Sequence, residues 1–151
     1  MTYFQAVKTS QQVNVTGSGQ LATAVYNTET ADVLNEYSPV TGEFTASSDG
    51  WRAFTATMII GGVTSQHSQY GSLSFLHIAA GSGFQRRYYW HAASFAAIKQ
   101  SNGSLALNGS VIIPMGLGDK LMVQCLVSGP DAKQTVSLGA DPGIMFSGVS
   151  V

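Results

Sequence analysis

The chain has 151 residues, enough to bury one good core and too few for two independent domains of ordinary size. Hydrophobic residues make up 44% and charged residues only 10%, so the surface has to be built from Ser, Thr, Asn, Gln and Gly, while a net charge of −1 lacks the electrostatic footprint of a nucleic-acid binder. No apolar run is long enough for a membrane helix, and the N-terminal stretch "MTYFQAVKTSQQVNV" lacks the basic and apolar regions of a signal peptide, so neither membrane insertion nor export by the general secretory route is expected.

Apolar residues rarely recur at helical spacing, and 17 glycines punctuate the chain. The pattern predicts an all-β protein, with strands over 3–8, 12–15, 21–25, 44–46, 51–60, 73–79, 86–95, 104–113, 120–127, 135–138 and 144–149. Many short strands at intervals of about 8–12 residues argue for a two-sheet antiparallel sandwich or jelly roll. Asn-Gly occurs in "SNGS" at 101–104 and again in "LNGS" at 107–110, and one of the two is expected to close a hairpin, because Asn-Gly suits the positive φ angles of a type I′ turn. "GSGF", "GPDAK" and "ADPG" are further breaks, and none precedes a helix start as a phosphate-cradling loop would.

Along the strand 120–127, one face holds Leu121, Val123, Cys125 and Val127 and the other Met122, Gln124 and Leu126. The segment "RRYYWHAASF" is likewise apolar on both sides, with Tyr88, Trp90 and Ala92 alternating against Tyr89, His91, Ala93 and Phe95. A sandwich buries one face of each sheet, so a second apolar face needs a subunit contact, and Tyr88, Trp90, Met122 and Leu126 are the candidate interface residues. Cys125, the only cysteine, reads as a small buried hydrophobe and excludes an intramolecular disulfide framework. Unpaired, it suits assembly in a reducing cytoplasm.

No catalytic constellation emerges. His67, His77 and His91 are scattered without metal-ligand spacing, and no Gly-x-Ser-x-Gly elbow is present. Glu29, Asp32 and Glu36 fall in one loop-like segment that lacks the alternating Asp/Asn ligands of a calcium loop. Arg86-Arg87 beside Tyr88, Tyr89 and Trp90 carries too few charges for a nucleic-acid platform. Neither cofactor nor metal is expected.

The segment "TGEFTASSDG" runs straight into the strand-like "WRAFTATMII", and the intervals around that junction form a pattern. Tyr26 is followed after five residues by Asp32, after four by Tyr37, after six by Phe44, after five by Gly50 and after three by Phe54. This resembles the signature of the complement C1q globular head. "LGDKLMVQC", with Gly118 and Asp119, resembles the late-strand motif of that family, and "MFSGVSV", with Phe146 and Gly148, its terminal strand. Tyr26 stands where Phe is usual, Arg52 where the family has Tyr, and Ala56 where it has an aromatic. Arg52 shares a strand face with Phe54, Ala56 and Met58, so it must lie at the mouth of the strand or find a carboxylate.

Resemblance to the C1q and tumour necrosis factor superfamily implies a jelly roll that associates as a homotrimer. On this reading residues 21–151 form the jelly-roll domain, and residues 1–20 are an N-terminal strand and anchoring segment, with Tyr3 and Phe4 as candidate anchors. The expected function is that of a non-enzymatic virion structural protein, a capsid decoration or head-fibre protein of a bacteriophage, assembled in the host cytoplasm against the major capsid protein or another virion protein. The alternative is a head that binds a host receptor or glycan on a fibre, cell or spore surface, or outside the cell, with Tyr70 and Phe84 as candidate loop contacts.

Overall fold

The structure, a computed structural model, describes residues 3–67, 70–94, 103–129 and 135–151, without the side chains at 70 and 90–94. Among the described residues thirteen strands run in chain order: β1 (Tyr3–Lys8), β2 (Gln12–Thr16), β3 (Leu21–Thr23), β4 (Thr28–Asp32), β5 (Tyr37–Ser38), β6 (Glu43–Thr45), β7 (Gly50–Gly61), β8 (Tyr70–Ile78), β9 (Gln85–Ser94), β10 (Ser104–Met115), β11 (Lys120–Val127), β12 (Val136–Leu138) and β13 (Asp141–Ser150). All recorded pairings are antiparallel.

The first sheet has the order β2-β12-β7-β13-β1-β4, with β10 along the other edge of β7. Twelve rungs, from Ser104 opposite Gly61 to Met115 opposite Gly50, join β10 to β7. The second sheet has the order β5-β6-β11-β8-β9, with β3 sharing one edge of β11 with β6. Period-2 alternation explains the layering: on β7, Arg52, Phe54, Ala56, Met58 and Ile60 turn inward, and on β10, Leu107, Val111, Ile113 and Met115 do. The second sheet answers with Phe44, Leu73, Phe75, Leu121, Val123, Cys125 and Val127.

An aromatic cluster fills the space between the sheets. Phe4 stacks on Tyr37 at 5.3 Å and on Phe44 at 5.0 Å and meets Phe146 edge-on at 4.9 Å; Phe44 meets Phe54 edge-on at 5.0 Å. Each buried ring contributes about 1.5–3 kcal/mol through area alone. Gly148 is needed because of this crowding, since a Cβ there would fall 2.5 Å from Phe4 and 2.7 Å from Phe54.

The two strands that sequence periodicity does not reveal are β4, which is polar and pairs with β1, and β5, which has only two residues. Asn108-Gly109 makes no turn: it lies in the middle of β10, opposite Thr57 and Ala56, because continuous pairing with β7 outweighs local turn preference. Asn102 lies outside the described residues, and so does most of "GPDAK". "GSGF" forms the β8–β9 connection, closed by hydrogen bonds from the Ala79 amide to the Phe84 carbonyl and from the Gly83 amide to the Ala79 carbonyl. "ADPG" instead leads into β13, which opens at Asp141.

Candidate interaction surfaces

Charged groups drawn inside the sandwich are engaged in holding it together. Arg52 finds the carboxylate it requires: its Nη2 lies 3.4 Å from Glu36 Oε1 and donates to Ser48 Oγ at 3.0 Å. The same Glu36 oxygen accepts from the amide and the hydroxyl of Ser47. Asp119 accepts from the Ala80 amide at one oxygen and from the Gly116 amide and His77 Nε2 at the other, tying the β8–β9 and β10–β11 turns together. Burial opposes ionisation of Asp119, but these hydrogen bonds outweigh it and hold the carboxyl below its ordinary value.

Lys8, wholly buried at the end of β1, donates to Gln12 Oε1 at 2.7 Å and to the Val25 carbonyl at 2.9 Å, and burial lowers its pKa to about 8. Burial likewise pushes the Cys125 thiol up to about 12, which makes it inert.

The outward face of the first sheet is free of charge over two successive rungs across four strands. One rung reads Tyr3, Val149, Ala53, Ile112, and the next Gln5, Ser147, Thr55, Ser110. Trp51, 55% exposed and opposite Pro114, extends the apolar end, and Ile112 is 63% exposed. A groove of about 330 Å³ runs over β1, β13 and β7, lined by Tyr3, Gln5, Ala53, Thr55, Ser147 and Val149 with the backbone beneath. The strands of this face are not apolar on both sides, and in the sequence the face is signalled by the outward series Trp51, Ala53, Thr55, Thr57, Ile59.

The outward face of the second sheet is different. Its rungs read Glu43, Met122, Leu76, Arg87, then Thr23, Gln124, Ser74, Tyr89, then Leu21, Leu126, Ser72, Ala92. Met122 and Leu126 therefore share this face, both half-buried, whereas Tyr88 packs against the core from β9. Trp90 also lies on β9, but its side chain is outside the described residues, as is that of Tyr70 at the start of β8. Lys120 pairs with Glu43 at 2.7 Å beside the face. Phe84 is exposed in the β8–β9 connection.

The residues of the spaced signature have structural work. Tyr26, Tyr37, Phe44, Phe54 and Phe146 are core rings, and Asp32 accepts from the Glu36 and Tyr37 amides, closing the turn that delivers Tyr37 to the core. Asp32 and Glu36 are thus turned to different partners. Gly50 and Gly118 take positive φ of 153° and 81° at the start of β7 and in the β10–β11 turn. Of the two candidate anchors, Tyr3 faces outward while Phe4 lies in the core, and β1 sits between β13 and β4 inside the first sheet.

No protein-family model and no curated protein sequence matches the chain. Solved structures do. The globular domain of zebrafish complement 1qA protein superposes with a TM-score of 0.66 at 14% identity, over 100% of this chain and 98% of that one. Murine APRIL superposes at 0.65 with 9% identity over 99% and 98%, and the Eiger TNF from S. frugiperda at 0.66 with 14% identity over 99% and 90%. The fold is therefore a two-sheet jelly roll of the C1q and tumour necrosis factor kind.

Proposed function

We propose that the chain is a non-enzymatic head domain that acts as a homotrimer, its copies meeting through the outward face of the first sheet. The observation that carries this reading is the uncharged, grooved face formed by β1, β13, β7 and β10, with an apolar rung beside a Ser/Thr/Gln rung. Such a face can be covered by a second copy without stranding a charge, and its polar rung supplies hydrogen bonds on both sides. Non-catalytic use is supported by the engagement of His77, Asp119, Glu36 and Arg52 with one another and with backbone or neighbouring serines.

The setting we favour is the surface of a virion, where the trimer would decorate a capsid at threefold or quasi-threefold positions and matching symmetry would let each subunit repeat the same contact. A charge-poor surface and a single buried, unpaired cysteine support a protein assembled in a reducing cytoplasm. The test is co-sedimentation of the chain with particles from its source: a particle-bound trimer is the expected result, and a trimer that stays in the supernatant at all particle concentrations contradicts the decoration role.

A further inference from the structure

The connections between strands gather at the two ends of the sandwich, and the ends differ in chemistry. At one end the Val33 amide donates to the Tyr3 carbonyl, the Val151 amide to the Trp51 carbonyl, the Gly118 amide to the Ala46 carbonyl and the Leu117 amide to Asp49 Oδ1. Asp119 joins the β8–β9 turn to this group through the Ala80 amide, and Phe84 closes that turn. Here Tyr3, Val33, Trp51, Phe84, Leu117 and Val151 stand in solvent, with exposures from 50% at Tyr3 to 76% at Val151. At the other end, where Val13 and Leu21 are also exposed, the described turns offer polar side chains to solvent: Thr9, Ser10 and Gln11 after β1, Ser65 and Gln66 after β7.

The ionisable groups of the apolar end are committed within it. Arg52 meets Glu36, Asp119 takes the Ala80 and Gly116 amides and His77, Asp32 takes two amides, Asp49 takes the Leu117 amide, and Arg86 lies over the Tyr88 ring. The same bonds hold the apolar tips in place, since Leu117 and Gly118 are fastened to the chain at Asp49 and Ala46. A surface with fixed apolar tips and engaged charges loses little freedom when another apolar surface covers it, and it strands no ion.

Tyr3 and Trp51 also belong to the outward face of the first sheet, so the apolar end continues the self-association face around the corner of the sandwich. In a trimer joined through that face, cyclic symmetry turns three such ends the same way, and they form one platform. We propose that this platform is the seat of the trimer: Val33, Phe84 and Leu117 of each copy dock on an uncharged, apolar protein surface of matching threefold symmetry on the particle, and the polar end faces away. The inference rests on the trimeric, particle-bound reading above and adds which end makes the contact. A lipid surface fits less well, because the tips are fixed and, among the described residues, no cluster of Lys or Arg stands there to meet anionic headgroups.

The test compares the full chain with Phe84→Glu, Leu117→Glu and, at the polar end, Gln66→Glu, by light scattering and by co-sedimentation with particles from its source. The assembled mass is expected to be the same for all four. Particle-bound protein should fall about tenfold with Phe84→Glu and with Leu117→Glu, because each buries a charge in an apolar contact, and should not change with Gln66→Glu. Phe84→Ser and Leu117→Ser take their place if a glutamate variant fails to assemble. A parent that stays in the supernatant overturns the particle setting and the seat together. A parent that sediments while both end variants bind as it does, or while Gln66→Glu alone is lost, overturns the seat and leaves the setting standing. Binding of the parent to phosphatidylcholine vesicles, lost in the same two variants, would assign the end to lipid and likewise overturn the seat.

Discussion

The two sheets present the same kind of surface to each other and opposite kinds to the outside. Inward, both alternate aromatic and aliphatic residues, and the rings of Phe4 and Phe146 from the first sheet interlock with Tyr37 and Phe44 from the second. Outward, the first sheet is grooved and free of charge over two rungs of β1, β13, β7 and β10, whereas the second sets charge at its flank and leaves polar atoms unsatisfied near its middle. The inward pattern decides the fold and is shared; the outward patterns decide partners and are not. A single chain can therefore share its fold with solved structures at 9–14% identity and still carry surfaces of its own.

The largest difference between the sheets is expected when a charge is placed on each outward face in turn. Ala53→Arg, at the centre of the apolar rung, should abolish self-association, because an unpaired charge in a subunit contact is strongly unfavourable. Leu126→Arg, on the other sheet, should leave the assembled mass unchanged. Dissociation by Leu126→Arg alone would move the contact to the face that carries Met122 and Leu126, the residues the sequence singled out.

Next in size is a test of the shared interior. Gly148→Ala should lower unfolding stability in denaturant titrations by about 1–3 kcal/mol, since the added methyl collides with both Phe4 and Phe54.

The sheets also differ in their response to pH. Asp119, which ties turns next to the second sheet, is held below its ordinary pKa of 3.8, so its contribution to stability is present above that value and is lost as pH falls through the lowered one. Asp119→Asn should remove this part of the acid limb, read as melting temperature against pH. Lys8, in the first sheet, has its pKa lowered from 10.5 to about 8 by burial. The unfolded chain takes up that proton first, so stability should fall as pH drops from 10.5 to about 8 and then level off. Lys8→Met should flatten that slope, the smallest of these effects and the one that separates the two sheets most finely.

Much of this was legible in the chain. Strands β1 and β11 have the bounds that alternation predicts, and the inward series Leu121, Val123, Cys125, Val127 is wholly buried. The requirement that Arg52 find a carboxylate is met by Glu36. What could not be read were features set by pairing across long sequence separations. Asn108-Gly109 has turn chemistry, but β7 holds it as strand. Ser74 and Gln124 are unremarkable polar residues until β8 and β11 place them opposite each other. The uncharged face arises only when four strands from both ends and the middle of the chain come into register.

Self-association through the first sheet's outward face, as proposed, fixes the mass of the protein in solution. Light scattering on the purified protein, beside its Ala53→Arg variant, measures this directly. A trimer joined through this face gives three times 15.9 kDa for the parent and 15.9 kDa for a folded variant. A parent of 15.9 kDa, or a variant that keeps the full assembled mass, would contradict it.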